Sequence, residues 1–257
     1  MGQGRTAERL EALVALAHQL GREDRQMAIL GEGNVSTRIG EGFLVKASGR
    51  SLATLAREGV VACRSTGLMA LLDAGGGGEA TDEQIEKSLM AARLDPAAPK
   101  PSVEAVFHAY LLGLPGIDWV GHTHPVAVNR ILCSTRAAEF AGRRMFPDEV
   151  VCCGEESVFV PYVDPGLPLA GAIRRDTAAF VGRRGGPPRV ILLGNHGVIT
   201  LGASANAVLG AMLMVQKAAQ IWLGAAALGG PEYLSGADVR RIAGRSDEHY
   251  RQRSLNL

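Results

Sequence analysis

The segment Val190-Ile191-Leu192-Leu193 restricts the fold more than any other. Successive side chains of a strand point to opposite faces, so a strand that is apolar at every position has to be covered on both. That places it at a central, buried position in a sheet. A glycine-punctuated turn follows, Gly194-Asn195-His196-Gly197, and the strand pattern resumes over Val198–Leu201. Further strand-like runs lie at Ile117–Val120 and Val158–Tyr162, and a hairpin is expected between Gly31 and Gly49. Helical patterns separate them. Thr6–Leu20 carries Leu10, Leu13, Val14 and Ala17 on one face. Thr81 and Gln84 have capping-box spacing, and Ser102 stands behind Pro101 as the N-cap of a helix to Leu112. Ser204 opens a long helix to about Ala227 with Val208, Met212, Val215 and Ala219 on one face, and a last helix starts at about Ser235. The four glycines Gly75–Gly78 read as a flexible surface connection. No repeat or long linker divides the chain, so residues 1–257 are read as a single three-layer α/β domain. A chain of 257 residues buries roughly three quarters of its unfolded surface and needs no disulfide to hold a core.

Charge excludes more than it suggests. Lys and Arg number 27 against 26 Asp and Glu, so nothing in the balance points to a nucleic acid or a membrane surface as partner. The pairs Arg143-Arg144, Arg174-Arg175, Arg183-Arg184 and Arg240-Arg241 read as solvated helix ends and loops, with an anionic ligand or a subunit contact as the alternative. Cys63, Cys133, Cys152 and Cys153 lack metal-ligand spacing and read as small buried hydrophobes of a reducing compartment. The start of the chain is charged and amphipathic, and no apolar run approaches the roughly 20 residues of a membrane span. The expected location is the cytoplasm.

The chemistry concentrates in a few residues. His122 and His124 are two apart at a strand end, where i and i+2 share a face, so both imidazoles can reach one ion; two ordinary polar residues are the plain alternative. Pro125 ends the strand, which puts the pair at an edge or cleft. His196, in its glycine turn, completes a three-histidine set, the usual count for a catalytic zinc with open positions. Glu104 falls in the first turn expected after Ser102, where free N–H groups bind anions and where acidic residues are also favoured by the dipole alone. His108, four residues on, reads as a packing or orienting residue. Asn34 in Gly33-Asn34-Val35-Ser36 and the run Lys46-Ala47-Ser48-Gly49 can form a pocket of N–H groups, a hydroxyl and one fixed cation suited to a phosphate or a carboxylate.

Taken in order, Gly33-Asn34-Val35-Ser36, Lys46-Ala47-Ser48-Gly49, Pro101-Ser102-Val103-Glu104, His122-Thr123-His124-Pro125 and Asn195-His196-Gly197 resemble the class II aldolase/adducin family, over about residues 6–230. That family includes L-fuculose-1-phosphate aldolase, L-rhamnulose-1-phosphate aldolase and L-ribulose-5-phosphate 4-epimerase. The resemblance implies an α/β/α fold with a central mixed sheet between helical layers, and a homotetramer with active sites between subunits. It implies that His122, His124 and His196 hold Zn2+, or another divalent ion such as Mn2+, and that Glu104 is the catalytic acid/base. Asn34, Lys46, Ser48, Gly49 and Ser102 would fall at the anion site, and Tyr250 would be a proton donor reaching a neighbouring subunit from the tail at about 231–257. The epimerases carry aspartate where Glu104 stands, which favours aldolase or decarboxylase chemistry. The aldolases often show two serines before that glutamate, and here the second is Val103. The implied activity is carbon–carbon cleavage of a small anionic substrate, a sugar phosphate or related hydroxy-keto compound. Decarboxylation of a keto or hydroxy acid and a non-catalytic adducin-like module are the alternatives.

Overall fold

The computed structural model describes residues 2–40, 42–74, 81–247, 250 and 254; the glycine run at 75–78 and His249 lie outside them. Seven strands form one sheet: β1 Asn34–Ile39, β2 Gly42–Lys46, β3 Val60–Arg64, β4 Trp119–Thr123, β5 Val158–Val160, β6 Val190–Leu193 and β7 Gly197–Gly202, in the order β3-β2-β1-β4-β7-β6-β5. Every neighbouring pair is antiparallel except β5 with β6, so the sheet is mixed. Ten α-helices are described: α1 Gly2–Leu20, α2 Ser65–Ala74, α3 Asp82–Ala92, α4 Ala105–Leu112, α5 Val126–Leu132, α6 Ala137–Gly142, α7 Pro147–Cys153, α8 Leu167–Arg184, α9 Ala205–Ala227 and α10 Gly236–Ala243.

Alternation along the strands divides the core in two. Phe43, Val45, Val61, Val120, Ile191 and Leu193 face α2, α3, α4 and α8. Val35, Leu44, Trp119, Val190, Leu192 and Val198 face α1, α5, α6 and α9. A three-layer sandwich results. β6 is buried at all four positions, as its composition requires, but it lies second from the sheet's edge rather than at its centre. The central strand is β4, flanked by β1 and β7, with His122 paired to Asn34 on one side and Ile199 on the other. Pro125 does end the strand, yet the histidine pair is not at a sheet edge: it closes the middle strand.

Several local readings hold for the expected reason. Thr81 and Gln84 form the reciprocal capping box, and Ser204 and Ser235 cap α9 and α10. Others need correction. Helix α4 starts at Ala105, not just after Ser102; residues 102–104 make a hydrogen-bonded turn, Ala105 N donating to Ser102 O at 3.0 Å, and Glu104 takes the N-cap position. Cys133 is exposed and Cys152 half-buried, so only Cys63 and Cys153 are buried hydrophobes. Arg144 is buried and no solvated helix end: its guanidinium donates to the carbonyls of Gly154 and Ala141 and to Ser157 Oγ. Finally, α9 with 23 residues is long and apolar enough to cross a membrane by length and composition. It instead packs Val208, Met212, Val215 and Ala219 against the sheet.

Candidate metal centre

The end of β4, the β6–β7 turn and the entrance to α4 meet at one point. His122 is the last inward-facing residue of β4; it is fully buried, edge-on to Phe107 of α4 with ring centroids 5.8 Å apart. Its Nδ1 lies 3.0 Å from Val198 O. A carbonyl only accepts, so this contact assigns the ring proton to Nδ1 and leaves the lone pair on Nε2. Nε2 in turn faces His124 Nε2 at 3.0 Å and Glu104 Oε1 at 3.2 Å. His196 Nε2 stands 3.9 Å from the same carboxylate oxygen.

The His196 turn owes its shape to a different residue from the one its sequence suggests. The left-handed conformation sits on Asn195 (φ 53°), not on either flanking glycine. Gly197 is required for space: a Cβ there would lie 2.6 Å from Thr123 O and 2.7 Å from His124 Cδ2. Gly33 needs both properties, with φ 72° and a would-be Cβ 2.7 Å from His122 O. Asn129 Nδ2 donates to His196 O at 2.9 Å and ties the turn to α5.

The three histidines present ligand atoms that all lie within 4.8 Å of one another. A tetrahedral ion bound at about 2.0–2.1 Å holds its nitrogens about 3.3 Å apart, close to the His122–His124 separation. Electron-rich atoms converging this closely repel one another unless a cation or a proton lies among them. The donor set therefore fits a divalent ion of the zinc type, with Glu104 beside it.

Burial pushes the Glu104 carboxyl up; where a proton rather than an ion sits on His122 Nε2, the charge and hydrogen bond of His122, with His108 and His196, outweigh that and hold it below the usual carboxylate range. Burial pushes His196 down to about 4, helped by His122 and His124. His108 is fully buried and pushed to about 3, chiefly by burial. It stays outside the histidine cluster: its Nδ1 pairs with Ser36 Oγ at 2.6 Å and its ring stacks on Phe107. That is the packing and orienting part expected for it.

Of the residues expected at the anion pocket, Asn34 pairs with His122 and Ser102 contacts Glu104, and the others join them through the backbone. Asn34 is fully buried beside His122; its Oδ1 accepts from Val35 N, and its Nδ2 has no partner among the described residues. Ala47 bridges to Pro101 and Ser48 N donates to Lys100 O, which brings the Ser48-Gly49 turn against Ser102. Ser102 Oγ accepts from Glu104 N at 3.3 Å. Lys46 departs from a surface lysine: it is buried, and Nζ donates to Gly31 O at 3.1 Å and Arg50 O at 2.6 Å. Burial lowers its pKa, with the charge of Glu104 opposing. Tyr250 is 69% exposed, and no described contact joins it to the histidines. A cavity of about 790 Å³ opens elsewhere, at the start of β4, but its Arg9 and Arg38 are already paired with Asp118. Its chemistry is structural, so cavity size does not locate the site.

Sequence reasoning did not single out Glu32, whose carboxylate approaches His124 Nδ1 at 3.7 Å, or Asn129. Both lie in loop or helix contexts without a motif of their own, and only the folded neighbourhood reveals them.

The chain and its fold are similar to known proteins. A curated relative, the uncharacterized oxidoreductase YuxG of Bacillus subtilis (strain 168), is 27% identical over 206 residues, covering 77% of this chain. The chain spans only 27% of that relative's length. Among solved structures, the N-terminal class II aldolase domain of a conserved protein from Thermoplasma acidophilum superposes with a TM-score of 0.65 at 24% identity, over 83% of this chain and 93% of that one. L-fuculose-1-phosphate aldolase from Thermus thermophilus superposes with a TM-score of 0.61 at 19% identity, over 88% and 99%. These two likenesses establish the fold. The family described as "Class II Aldolase and Adducin N-terminal domain" matches residues 11–223, and the chain therefore belongs to the class II aldolase/adducin family.

Proposed function

We propose that this protein is a metal-dependent carbon–carbon lyase that cleaves a small anionic hydroxy-carbonyl compound in the retro-aldol sense. The observation that carries the reading is the placement of Glu104 Oε1 3.2 Å from His122 Nε2, inside a cluster of three histidine donors. His122, His124 and His196 would hold the ion, zinc or another divalent metal such as manganese. When bound, it would supply Lewis-acid polarisation of a carbonyl oxygen next to the bond that breaks. Glu104 accepts a proton from the substrate and returns one to the carbon left behind. Asn34 Nδ2, buried and without a protein partner, donates to the substrate. Lys46 and the Ser48, Gly49 and Ser102 turns orient its anionic group.

The test is Glu104→Gln, which preserves size and most hydrogen bonding while removing the proton carrier. The variant should keep wild-type metal content and lose about 100- to 10,000-fold in turnover. Turnover close to wild type would remove Glu104 from the mechanism, and a His124→Ala protein with full metal content would remove the ligand assignment.

Decarboxylation of a keto or hydroxy acid is a second reading with its own support. Two of the three Lys46 N–H donors are spent on backbone carbonyls, and Val103 offers no hydroxyl beside Ser102. A pocket with so few donors suits a carboxylate at least as well as a phosphate. A substrate screen that follows both aldehyde and CO2 release separates the two. The proposal extends to a homotetramer in which Tyr250, exposed on its own chain, supplies a proton donor to a neighbour's site. A chain truncated after Gly244 that keeps assembly and turnover would remove that part.

A further inference from the structure

The loop before β1 carries backbone strain that the site described above does not use. Gln26 and Leu30 both adopt left-handed conformations, each at φ 52°, without being glycine. Such residues are uncommon and persist where surrounding structure enforces them. Leu30 gains nothing by burial in return, since it is 85% exposed.

What the strain achieves is a tight turn around Glu32. Glu32 N donates to Ile29 O at 3.0 Å, and Ile29 N donates to Glu32 Oε2 at 2.9 Å. One carboxylate oxygen is thereby fixed to its own loop. The other, Oε1, points at His124 Nδ1 from 3.7 Å, an ion-pair rather than a hydrogen-bond distance. The loop and the histidine also share a backbone frame: His124 N donates to Met27 O and Val126 N to Gln26 O. Glu32 and His124 are therefore held together independently of any contact between their side chains.

From this geometry we infer that Glu32 is a positioning residue for the metal centre, acting through His124. The inference rests on the three-histidine site of the proposed function. Its carboxylate retains the His124 proton on Nδ1, which directs the Nε2 lone pair at the position shared with His122 Nε2. Negative charge behind an imidazole also makes its far nitrogen a better donor to a cation. Val198 O does the first of these jobs for His122 but carries no full charge. His122 at the end of β4 and His124 just past it are thus set by different means, one by a carbonyl of the sheet and one by a carboxylate on a strained loop.

Glu32→Gln tests this, because glutamine keeps an oxygen for Ile29 N and loses the charge. Zinc affinity, measured by competition with a chromophoric chelator on full-length protein, should fall about 10- to 100-fold with the melting temperature of the metal-free protein unchanged. Equal zinc affinity in variant and wild type overturns the inference. Wild-type protein that binds no zinc at all instead overturns the metal site itself, so the two failures are distinct. Should the variant misfold, ¹⁵N imidazole spectra of zinc-loaded wild-type protein decide the matter. A His124 ring protonated at Nδ1 and metallated at Nε2 supports the inference, and the reverse arrangement overturns it.

Discussion

Gly197 offers a test of how little room the site has. In Gly197→Ala the new Cβ would lie 2.6 Å from Thr123 O, 2.7 Å from His124 Cδ2 and 3.2 Å from His122 Cε1. The first is backbone of the central strand and the other two are ring atoms of two candidate ligands, so neither neighbour gives way without moving the site. Overpacking of this kind costs about 1–3 kcal/mol. For a chain of this size each kcal/mol lowers the melting temperature by roughly 2–4 °C, so a loss of about 2 to 12 °C is expected. The natural control is Gly182→Ala on the exposed side of α8, where a Cβ meets nothing within 4 Å. That change should stabilise by about 0.5–1 kcal/mol, since alanine loses less conformational freedom in a helix than glycine does. Thermal melts of both variants, with zinc titrations alongside, give the comparison. If Gly197→Ala melts with the wild type and binds zinc equally, the packing argument for this glycine is wrong.

Phe107→Ala removes the ring lying between His108 and His122, and should cost about 3–5 kcal/mol in denaturant unfolding. Ser36→Ala leaves His108 Nδ1 without its buried partner and should cost about 1–3 kcal/mol in the same assay, whereas a loss below a few tenths would show the contact to be incidental. Lys46→Met should raise KM for anionic substrates and leave matched neutral analogues unaffected. For pH, Glu156 is held at about 2 by the Arg184 hydrogen bonds, against the opposing effect of burial, with Arg183 adding to the lowering. A carboxyl depressed in the folded state contributes stability that is complete above its ordinary value near 4.5 and is lost as pH falls toward 2. Glu156→Gln should therefore flatten the loss of stability between those two pH values, and an unchanged acid-unfolding profile would refute the pairing.

The features legible in the sequence were those set by local chemistry. The Thr81 capping box, the Ser204 and Ser235 caps and the doubly buried β6 follow from residue types a few positions apart. The histidine set was legible because His122 and His124 are two apart and His196 stands in a marked turn, although β4 ends at Thr123 and His124 lies just past it. What escaped depended on tertiary context. The rank of β6 in the sheet is decided by which strands pair across long loops, which its composition does not encode. The start of α4 moved to Ala105 because Pro101 bridges to Ala47 and holds residues 102–104 in a turn. Arg144 looked like half of a solvated pair, yet the surrounding carbonyls draw it inside. Glu32 was hidden because its significance is a distance to a residue far along the chain.

The position of β4 has a further consequence, in the site's motions. Val120, Gly121 and His122 are hydrogen-bonded into a sheet with partners on both edges and buried on both faces. Amides in such a place exchange with solvent only when the whole domain opens. His196 and Glu104 have no such anchorage, one in a turn and the other at a helix entrance, where partial opening costs far less. His122 thus stays in place as long as the protein is folded, while His196 and Glu104 stand on a side that can breathe. Amide exchange should be slowest at His122 and markedly faster at His196 and Ala105, and a ligand entering or leaving the centre would pass through the side that breathes.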